Sequence, residues 1–241
     1  MLQPASSPSQ VPAATARLTP LDRLQGSLGN RVYLTLREAI LAVAYRPGEI
    51  LRKPEICAEL GVSRSPVADA VARLAGEGLV DVVPQAGTYV ARFSMAEIRE
   101  GAFLREAIEV AAIGRVAVTI TEDQLTLLRR NVAVQGVLVE AHDFTGFYKL
   151  DSEMHELILG FTGFRKLSVF TDTAWVHVHR ARKLLLPMPG RVEETLTEHK
   201  QILAALEARD PVVARRAVHH HLGQLVRLLE PLERERPDLF A

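Results

Sequence analysis

The sequence of residues 47–90, PGEILRKPEICAELGVSRSPVADAVARLAGEGLVDVVPQAGTYV, decides the fold of the N-terminal half. Residues 54–60 predict a short helix that ends at Gly61, and residues 63–77 predict a second helix. After it, the residues are mostly β-branched or aromatic on both sides of the turn sequence Pro-Gln-Ala-Gly. This last pattern predicts a β-hairpin.

The order of these elements is that of a winged helix-turn-helix. Apolar residues at helical spacing over residues 31–44 predict one more helix, which Arg46-Pro47-Gly48 ends. A helix held by a short turn fits the major groove of DNA, and a hairpin can reach along the phosphate backbone or into the minor groove. Three helices with a hairpin also occur in protein-binding modules, so the pattern alone leaves that alternative open.

Candidate DNA contacts lie at the start of the third predicted helix. Backbone N–H groups and serine hydroxyls there can bind phosphate, and the Arg64 guanidinium can contact a guanine edge bidentately. The other basic candidates have a simpler alternative, since isolated surface arginines and lysines are commonly just solvated. The predicted DNA-contacting residues are Arg52, Lys53, Ser63, Arg64, Ser65, Arg73 and Gly87.

The composition of the whole chain indicates two domains and no membrane segment. A length of 241 residues exceeds that of a usual single domain. The 29 basic and 29 acidic residues cancel, so DNA binding must depend on local contacts and not on net charge. A single cysteine, Cys57, without a secretory or long apolar segment, predicts a cytoplasmic location and no membrane partner.

Beyond residue 94 the pattern is almost entirely helical. Periodic apolar segments, separated by breaks such as Gly163, predict an antiparallel all-α helical bundle. The fold class is therefore mainly α, with a disordered tail over residues 1–26, an α+β winged helix-turn-helix domain over 27–93 and the helical domain over 94–235. The predicted helices begin at about Ala96, Glu122, Phe144, Arg165, Val192 and Pro211.

A candidate metal site lies among the histidines, all of which follow residue 141. Asp151 and His155 are four residues apart, so they share one helix face and can bind the same cation. His199 lies on the apolar side of its helix. His221 follows 22 residues later, about 33 Å away in a continuous helix, but Asp210-Pro211 starts a new helix that can fold back. The alternative for each histidine is a hydrogen-bonded core residue.

The segment from Val32 to Val90 resembles the DNA-binding domain of GntR-family regulators. In that family a Pro-Gly-Glu step, a Leu-Gly-Val-Ser-Arg-x-Pro-Val turn and a Gly-Leu-Val entry to the wing recur, and residues 47–90 contain all three. The chain departs from the family at Ala68, where an arginine is usual, and at Gln85, where the wing is often basic. The resemblance therefore leaves operator affinity and sequence preference open.

The segment of about residues 95–230 resembles the ligand-binding domain of the FadR branch of this family, the helical type called FCD. In that type an Asp-x-x-x-His pair, a Glu-His and a His-Leu hold a metal ion. The resemblance implies Asp151, His155, His199 and His221 as the ligands. An Asp/His3 set suits zinc first, and nickel or manganese also. Phe164-Arg165 departs from the usual Asn-Pro of this type.

An effector contact is implied by the Leu104-Arg105-x-x-x-Glu109 segment, which is similar to the opening of FCD domains. The Arg105 guanidinium can bind a carboxylate bidentately. The alternative is an ion pair between Arg105 and Glu109 or another acidic residue.

The resemblance implies a homodimeric DNA-binding regulator, most simply a repressor, that binds a palindromic operator and responds to a small carboxylate effector at the metal. Two alternatives remain open at this point. One is a metal-dependent hydrolase or isomerase with Glu198 as base, against which His155-Glu156 lacks a second histidine at the zincin spacing. The other is a purely structural metal in an unregulated DNA-binding protein. The motifs favour a regulator over an enzyme.

Overall fold

The computed structural model describes residues 17–167, 175–185 and 188–241, and its architecture confirms the predicted fold class. Three helices and a two-stranded hairpin come first along the chain, and a helical domain comes after them. In chain order the elements are α1 (Leu28–Leu41), α2 (Lys53–Leu60), α3 (Arg64–Gly76), β1 (Val80–Val83), β2 (Gly87–Val90), α4 (Met95–Thr119), α5 (Glu122–Glu140), α6 (Phe144–Phe161), α7 (Val176–Leu185), α8 (Arg191–Glu207) and α9 (Pro211–Glu235).

The winged domain is built as its sequence predicts. Gly61 follows α2 with φ 64°, a left-handed conformation that suits glycine and turns the chain into α3. Strands β1 and β2 pair antiparallel, with Val80 opposite Val90 and Val83 opposite Gly87. The apolar faces of the three helices and the hairpin meet in one core that includes Val32, Leu36, Ile40, Val67, Leu74, Leu79 and Val90.

Residues 17–26 correct the prediction of a disordered tail over residues 1–26, of which 1–16 lie outside the described part. Leu18 is only 4% exposed and packs in the winged-domain core. The Thr35 hydroxyl donates to the Thr19 carbonyl over 2.9 Å, and a 3₁₀ turn follows at Leu21–Arg23. Burial of a leucine side chain contributes about 1.5–3 kcal/mol, which a composition rich in Pro, Ser and Ala does not reveal.

The helical domain has its own core between α4, α5, α6, α8 and α9. Helix α4 packs along α9, and α5 packs against both α6 and α8. The side chains that fill this core include Ile113, Val116, Leu128, Phe147, Met154, Ile202 and Val218. Within the described ranges, no helix is long and apolar enough to cross a lipid bilayer.

The two domains meet around helix α7. Val176 belongs to the winged-domain core, whereas Val178, Ala181 and Leu185 join a cluster with Phe93 at the domain junction. The helical segment predicted from about Arg165 passes through residues 168–174, which lie outside the described part. The chain end also returns to the junction, because the backbone of Phe93 bonds with residues 239 and 241 over 2.9 Å. The last six residues, beyond the predicted limit of 235, thus contribute to this junction.

Candidate metal centre and DNA-binding surface

Three helices bring the four predicted metal ligands together. Asp151 and His155 lie one turn apart on α6, His199 lies on α8 and His221 on α9. The return of α9 along α8 depends on Asp210, whose carboxylate accepts hydrogen bonds from the N–H groups of Val212 and Val213 over 2.8 and 3.0 Å. This N-cap, with Pro211 in the first helical position, is the break that the sequence predicts.

The four side chains form one buried cluster. One potential ligand atom from each lies within 4.8 Å of all the others. His155 Nε2 is 3.1 Å from His221 Nε2, and Asp151 Oδ1 is 3.1 Å from His199 Nε2 and 3.8 Å from His155 Nε2. The exposed fraction ranges from 0% for His199 to 6% for His221. Three imidazoles and a carboxylate of this spacing can coordinate one cation.

Each histidine of the cluster has its other ring nitrogen held by a second residue. His155 Nδ1 bonds with Glu109 over 2.5 Å and His221 Nδ1 bonds with Glu198 over 2.6 Å. His199 Nδ1 bonds with the Gln135 side-chain oxygen over 2.7 Å. These acceptors place the N–H on Nδ1 and leave Nε2 unprotonated toward the cluster, which is how ligating histidines are oriented in metal proteins.

The polar atoms of the cluster fit a cation. Within the described part of the chain, Asp151 Oδ1 and His199 Nε2 are buried without a hydrogen-bond partner, while Asp151 Oδ2 forms an ion pair with Arg182. Burial and the neighbouring histidines hold the pKa of His199 and of His221 well below the usual range, so both imidazoles are neutral and able to coordinate. The Arg182 guanidinium compensates the charge of Asp151, and a metal ion would in addition satisfy Asp151 Oδ1 and His199 Nε2.

A small cavity of about 40 Å³ adjoins the cluster, and Arg105, Arg182 and Arg191 line it. Arg105 Nε donates to Glu109 over 2.6 Å, so the ion pair that the sequence offers as an alternative is present. Arg105 Nη2, however, is buried without a hydrogen-bond partner among the described residues. The cavity therefore contains a guanidinium edge that can still bind an anion.

Charges around the cavity are paired one to one. Burial favours a raised pKa for Glu109, but Arg105 and His155 outweigh it and keep that pKa below its ordinary value. Arg182 forms an ion pair with Asp151, and burial together with Arg105 lowers the pKa of Arg182 to about 9. The Arg182 guanidinium therefore stays charged at neutral pH.

Sequence reasoning missed Gln135, Arg182 and Arg191. Gln135 carries a weak signal, because it is a polar residue in the apolar repeat of α5, fully buried beside Asn131. Arg182 precedes a run of leucines, and its neighbours along the chain do not indicate that it reaches Asp151. Arg191 begins α8 and bonds bidentately with Glu198 over 2.9 and 3.1 Å.

The histidines outside the predicted set also lie outside the cluster. His179 bonds with the Tyr148 hydroxyl over 3.1 Å, and burial lowers the pKa of His179 to about 3. His219 is exposed and pairs with Glu106 over 2.8 Å. The others, in the described part of the chain, are likewise absent from the metal-ligand group: His142, His177 and His220.

The start of α3 presents the predicted DNA contacts to solvent. Ser63 is the N-cap residue, yet its hydroxyl accepts no capping hydrogen bond, so it is available to a phosphate. Ser63, Arg64 and Ser65 are all exposed. Ala68 is exposed one turn further along the same face, so its methyl group stands where the family arginine would.

The remaining candidate DNA contacts differ in exposure and in distance from the start of α3. Arg52 is exposed and lies 3.6 Å from Glu55, while Lys53 begins α2 and is partly buried. Arg73 lies nine residues after Arg64, or about 13 Å along α3. Its guanidinium stacks 3.5 Å above the Tyr33 ring. The structure therefore does not bring Arg73 to the start of α3.

The wing places its tip in solvent. Gly87 begins β2 with φ 140°, a conformation that L side chains rarely adopt. Gln85, at the exposed tip, has φ 60°. The wing thus offers backbone groups at Gly87 and a neutral side chain at Gln85 toward a nucleic acid.

Comparisons with known proteins agree with both halves of this architecture. The family description "Bacterial regulatory proteins, gntR family" matches residues 28–90, and "FCD domain" matches residues 100–224. The HTH-type transcriptional repressor RspR of Escherichia coli is 31% identical over 214 residues, which cover 89% of this chain and 94% of that protein. The gluconate operon transcriptional repressor of Bacillus licheniformis is 24% identical, over 86% and 87% of the two chains.

Solved structures show the same fold. The crystal structure of a GntR transcriptional regulator from Rhodococcus sp. superposes with a TM-score of 0.74 at 22% identity, over 86% of this chain and 99% of that one. Escherichia coli McbR/YncC superposes with a TM-score of 0.72 at 21% identity, with the same coverage.

A winged helix-turn-helix joined to a helical FCD domain defines a class of bacterial transcriptional regulators. The chain belongs to the GntR family, in the FadR-like group whose C-terminal domain is an FCD domain. Its relatives and its fold are those of transcriptional regulators and not of enzymes. FCD domains often bind metal, and the buried Asp/His3 cluster of this chain could do so.

Proposed function

We propose that this chain is a homodimeric, cytoplasmic repressor that binds a palindromic operator and is controlled by a small carboxylate effector at a metal site. The observation that carries the proposal is the Asp151, His155, His199 and His221 cluster, in which each histidine Nδ1 is held and two buried ligand atoms, Asp151 Oδ1 and His199 Nε2, lack hydrogen-bond partners within the described part. Zinc is our first choice of metal, with nickel or manganese as alternatives.

For operator binding we propose the exposed start of α3 with its neighbours. Arg64 would contact a base edge, while Ser63, Ser65, Arg52, Lys53 and the Gly87 backbone would contact phosphates. Arg73 has less support because it stacks on Tyr33. Repression is favoured since relatives include proteins named as repressors of gluconate and D-xylose utilisation operons.

For the effector we propose Arg105 as a carboxylate ligand. Arg105 is 4% exposed, lines the cavity beside Asp151 and His221, and has an unpaired Nη2 there among the described residues. A purely structural metal would need neither this cavity nor this free donor. These two features favour a regulatory site.

Helix α7 supports a physical link between the site and the DNA-binding domain. Its Arg182 pairs with the metal ligand Asp151, and its Val176 packs in the winged-domain core. His177 Nε2 lies 3.6 Å from Glu97, at the start of the helical domain. A shift of α7 would change how the two recognition helices of a dimer face their half-sites, and a coupling of about 1–3 kcal/mol suffices for a switch.

The test is DNA binding by the full chain to its own upstream promoter, measured with and without zinc and with candidate organic acids. We expect a complex at low salt that at least one carboxylate dissociates. The absence of a complex at low salt would refute the repressor, and a complex that no acid weakens would favour a structural metal.

The metal assignment is tested separately by elemental analysis. Replacing His155 and His199 by Ala should abolish bound metal, whereas His219→Ala, an exposed histidine of the same domain, should leave it unchanged. Full metal content in the His155→Ala and His199→Ala variants would refute the ligand set.

A further inference from the structure

The cavity next to the metal cluster contains two guanidinium groups with unused donors. Arg105 Nη2 and Arg182 Nη1 are both buried and without a hydrogen-bond partner in the described ranges. Arg191, the third arginine, is already satisfied by its two bonds to Glu198. Two of the arginines that line the cavity therefore each have a donor left with which to bind a carboxylate oxygen.

The charge of the site supports two carboxylates and not one. Each arginine already has one acidic partner, so the buried groups balance without a metal. The pairs are Arg105 with Glu109, Arg182 with Asp151, and Arg191 with Glu198. Since ligating histidines are neutral, a divalent cation adds two uncompensated positive charges to a buried region, which is costly. A dianion restores the balance, and a monoanion leaves one charge in excess.

Arg182 is the residue that a metal ion affects most. Asp151 cannot give its carboxylate fully to a cation while it pairs with the Arg182 guanidinium. Both groups line the same cavity, so a guanidinium released from Asp151 stays close to the metal ligands. With Arg182 on Asp151, the cavity of about 40 Å³ has room for only a few water molecules. Movement of Arg182 would therefore enlarge the cavity and provide a new anion partner.

The lining of the cavity is partly apolar. Leu185, Leu222 and Leu225 line it together with the arginines. These leucines suit the carbon chain of a ligand whose two ends are anionic. Because Arg182 contacts a metal ligand directly, the two anionic ends must be separated by only a few carbon atoms.

We propose, resting on the function proposed above, that the effector is a short dicarboxylate. Its first carboxylate binds at the metal beside Arg105, and its second pairs with Arg182. Arg182 is then the residue that selects dicarboxylates over monocarboxylates.

The test compares malate with lactate by calorimetric titration of the full-length, zinc-loaded protein. Both are α-hydroxy acids, and they differ by the second carboxylate. We expect malate to bind about tenfold or more tightly, as a buried charge-assisted contact provides. Equal affinities would overturn the dicarboxylate assignment while leaving the metal site intact. A protein that takes up none of zinc, nickel and manganese would refute the proposed function and this inference together.

The role of Arg182 is tested with Arg182→Gln. In this variant the advantage of malate should fall below about threefold, with lactate affinity little changed. Zinc should bind more tightly, because Asp151 no longer pairs with a competing cation. A merely structural arginine would not produce this increase.

Lys183→Gln is the control. It removes the adjacent positive charge, whose Nζ lies over Tyr148 outside this cavity, and it should preserve the malate preference. A preference that survives in Arg182→Gln overturns the assignment of Arg182, and Arg182→Lys should retain part of it.

Discussion

The proposed metal centre and the proposed DNA-binding surface differ in how their side chains are held. In the metal centre each histidine bonds through Nδ1 to Glu109, Gln135 or Glu198, and the ligands are almost completely buried. At the start of α3 the predicted contacts are exposed, and the Ser63 hydroxyl caps no N–H group. A site that binds one ion needs fixed geometry, whereas a surface that binds phosphates needs accessible donors. We therefore expect substitutions at the metal cluster to change both metal binding and stability. Substitutions at the start of α3 should change DNA binding only.

The largest effect should come from His199→Ala in the metal centre. It removes a fully buried ligand and leaves the Gln135 side-chain oxygen without its donor. We expect loss of measurable zinc binding, and loss of the rise in melting temperature that zinc gives the wild-type protein. Elemental analysis and thermal unfolding with and without chelator measure this. His219→Ala is the matched control, and unchanged zinc stabilisation in His199→Ala would mean that the cluster is not the metal site.

A smaller effect is expected when only the support of a ligand is removed. Gln135→Leu keeps His199 but deprives its Nδ1 of the acceptor. Zinc affinity should fall by about 10- to 100-fold. Competition with a zinc chelator of known affinity measures it. An affinity equal to that of the wild type would show that the ring of His199 is held by packing, for example against Phe147, and not by the amide.

On the DNA-binding surface, Arg64→Ala should weaken operator binding by about 1–3 kcal/mol. The melting temperature should not change, because the side chain is exposed at the first turn of α3. Fluorescence anisotropy with the operator and with a scrambled duplex separates base recognition from phosphate contact. Arg52→Ala serves as the basic control and should weaken both duplexes alike. If Arg64→Ala also weakens both equally, Arg64 contacts phosphate only.

The smallest effect should come from Arg73→Ala. Unlike Arg64→Ala, this substitution should lower stability and leave DNA binding nearly unchanged. The Arg73 guanidinium lies over the Tyr33 ring and donates to Asn30 over 3.3 Å, which joins α3 to α1. We expect a loss of about 0.5–1 kcal/mol in unfolding free energy and little change in operator affinity. Denaturant unfolding and anisotropy on the same preparation decide this. If operator binding falls and the unfolding free energy does not, Arg73 is a DNA-contacting residue.

Much of the fold could be predicted because its signals are local. The hairpin, the Gly61 turn and the Asp210 N-cap each depend on a few adjacent residues, and each lies where the sequence puts it. The prediction was wrong at residues 17–26, whose Leu18 packs into a core built from distant residues. Tertiary burial overrides composition there.

The four candidate ligands could be named in advance for the same reason, since helical spacing and a recognisable break place them on helices that can converge. Gln135 and Arg182 could not, because their roles depend on which helices become neighbours. Nothing adjacent to either residue encodes that contact.

The sequence by itself determined the two-part architecture and the class of DNA-binding domain, and it named the four candidate ligands that cluster, since periodicity, caps and turns act over a few residues. Only the tertiary structure decided that each histidine has a bonded Nδ1, that Arg73 is turned toward α1, and that Arg182 reaches Asp151 from the helix that also packs in the winged domain. The Nδ1 contacts join residues 23 to 64 positions apart, from His221 with Glu198 to His199 with Gln135, so they depend on how the helices pack. They form when buried polar groups must find partners in three dimensions.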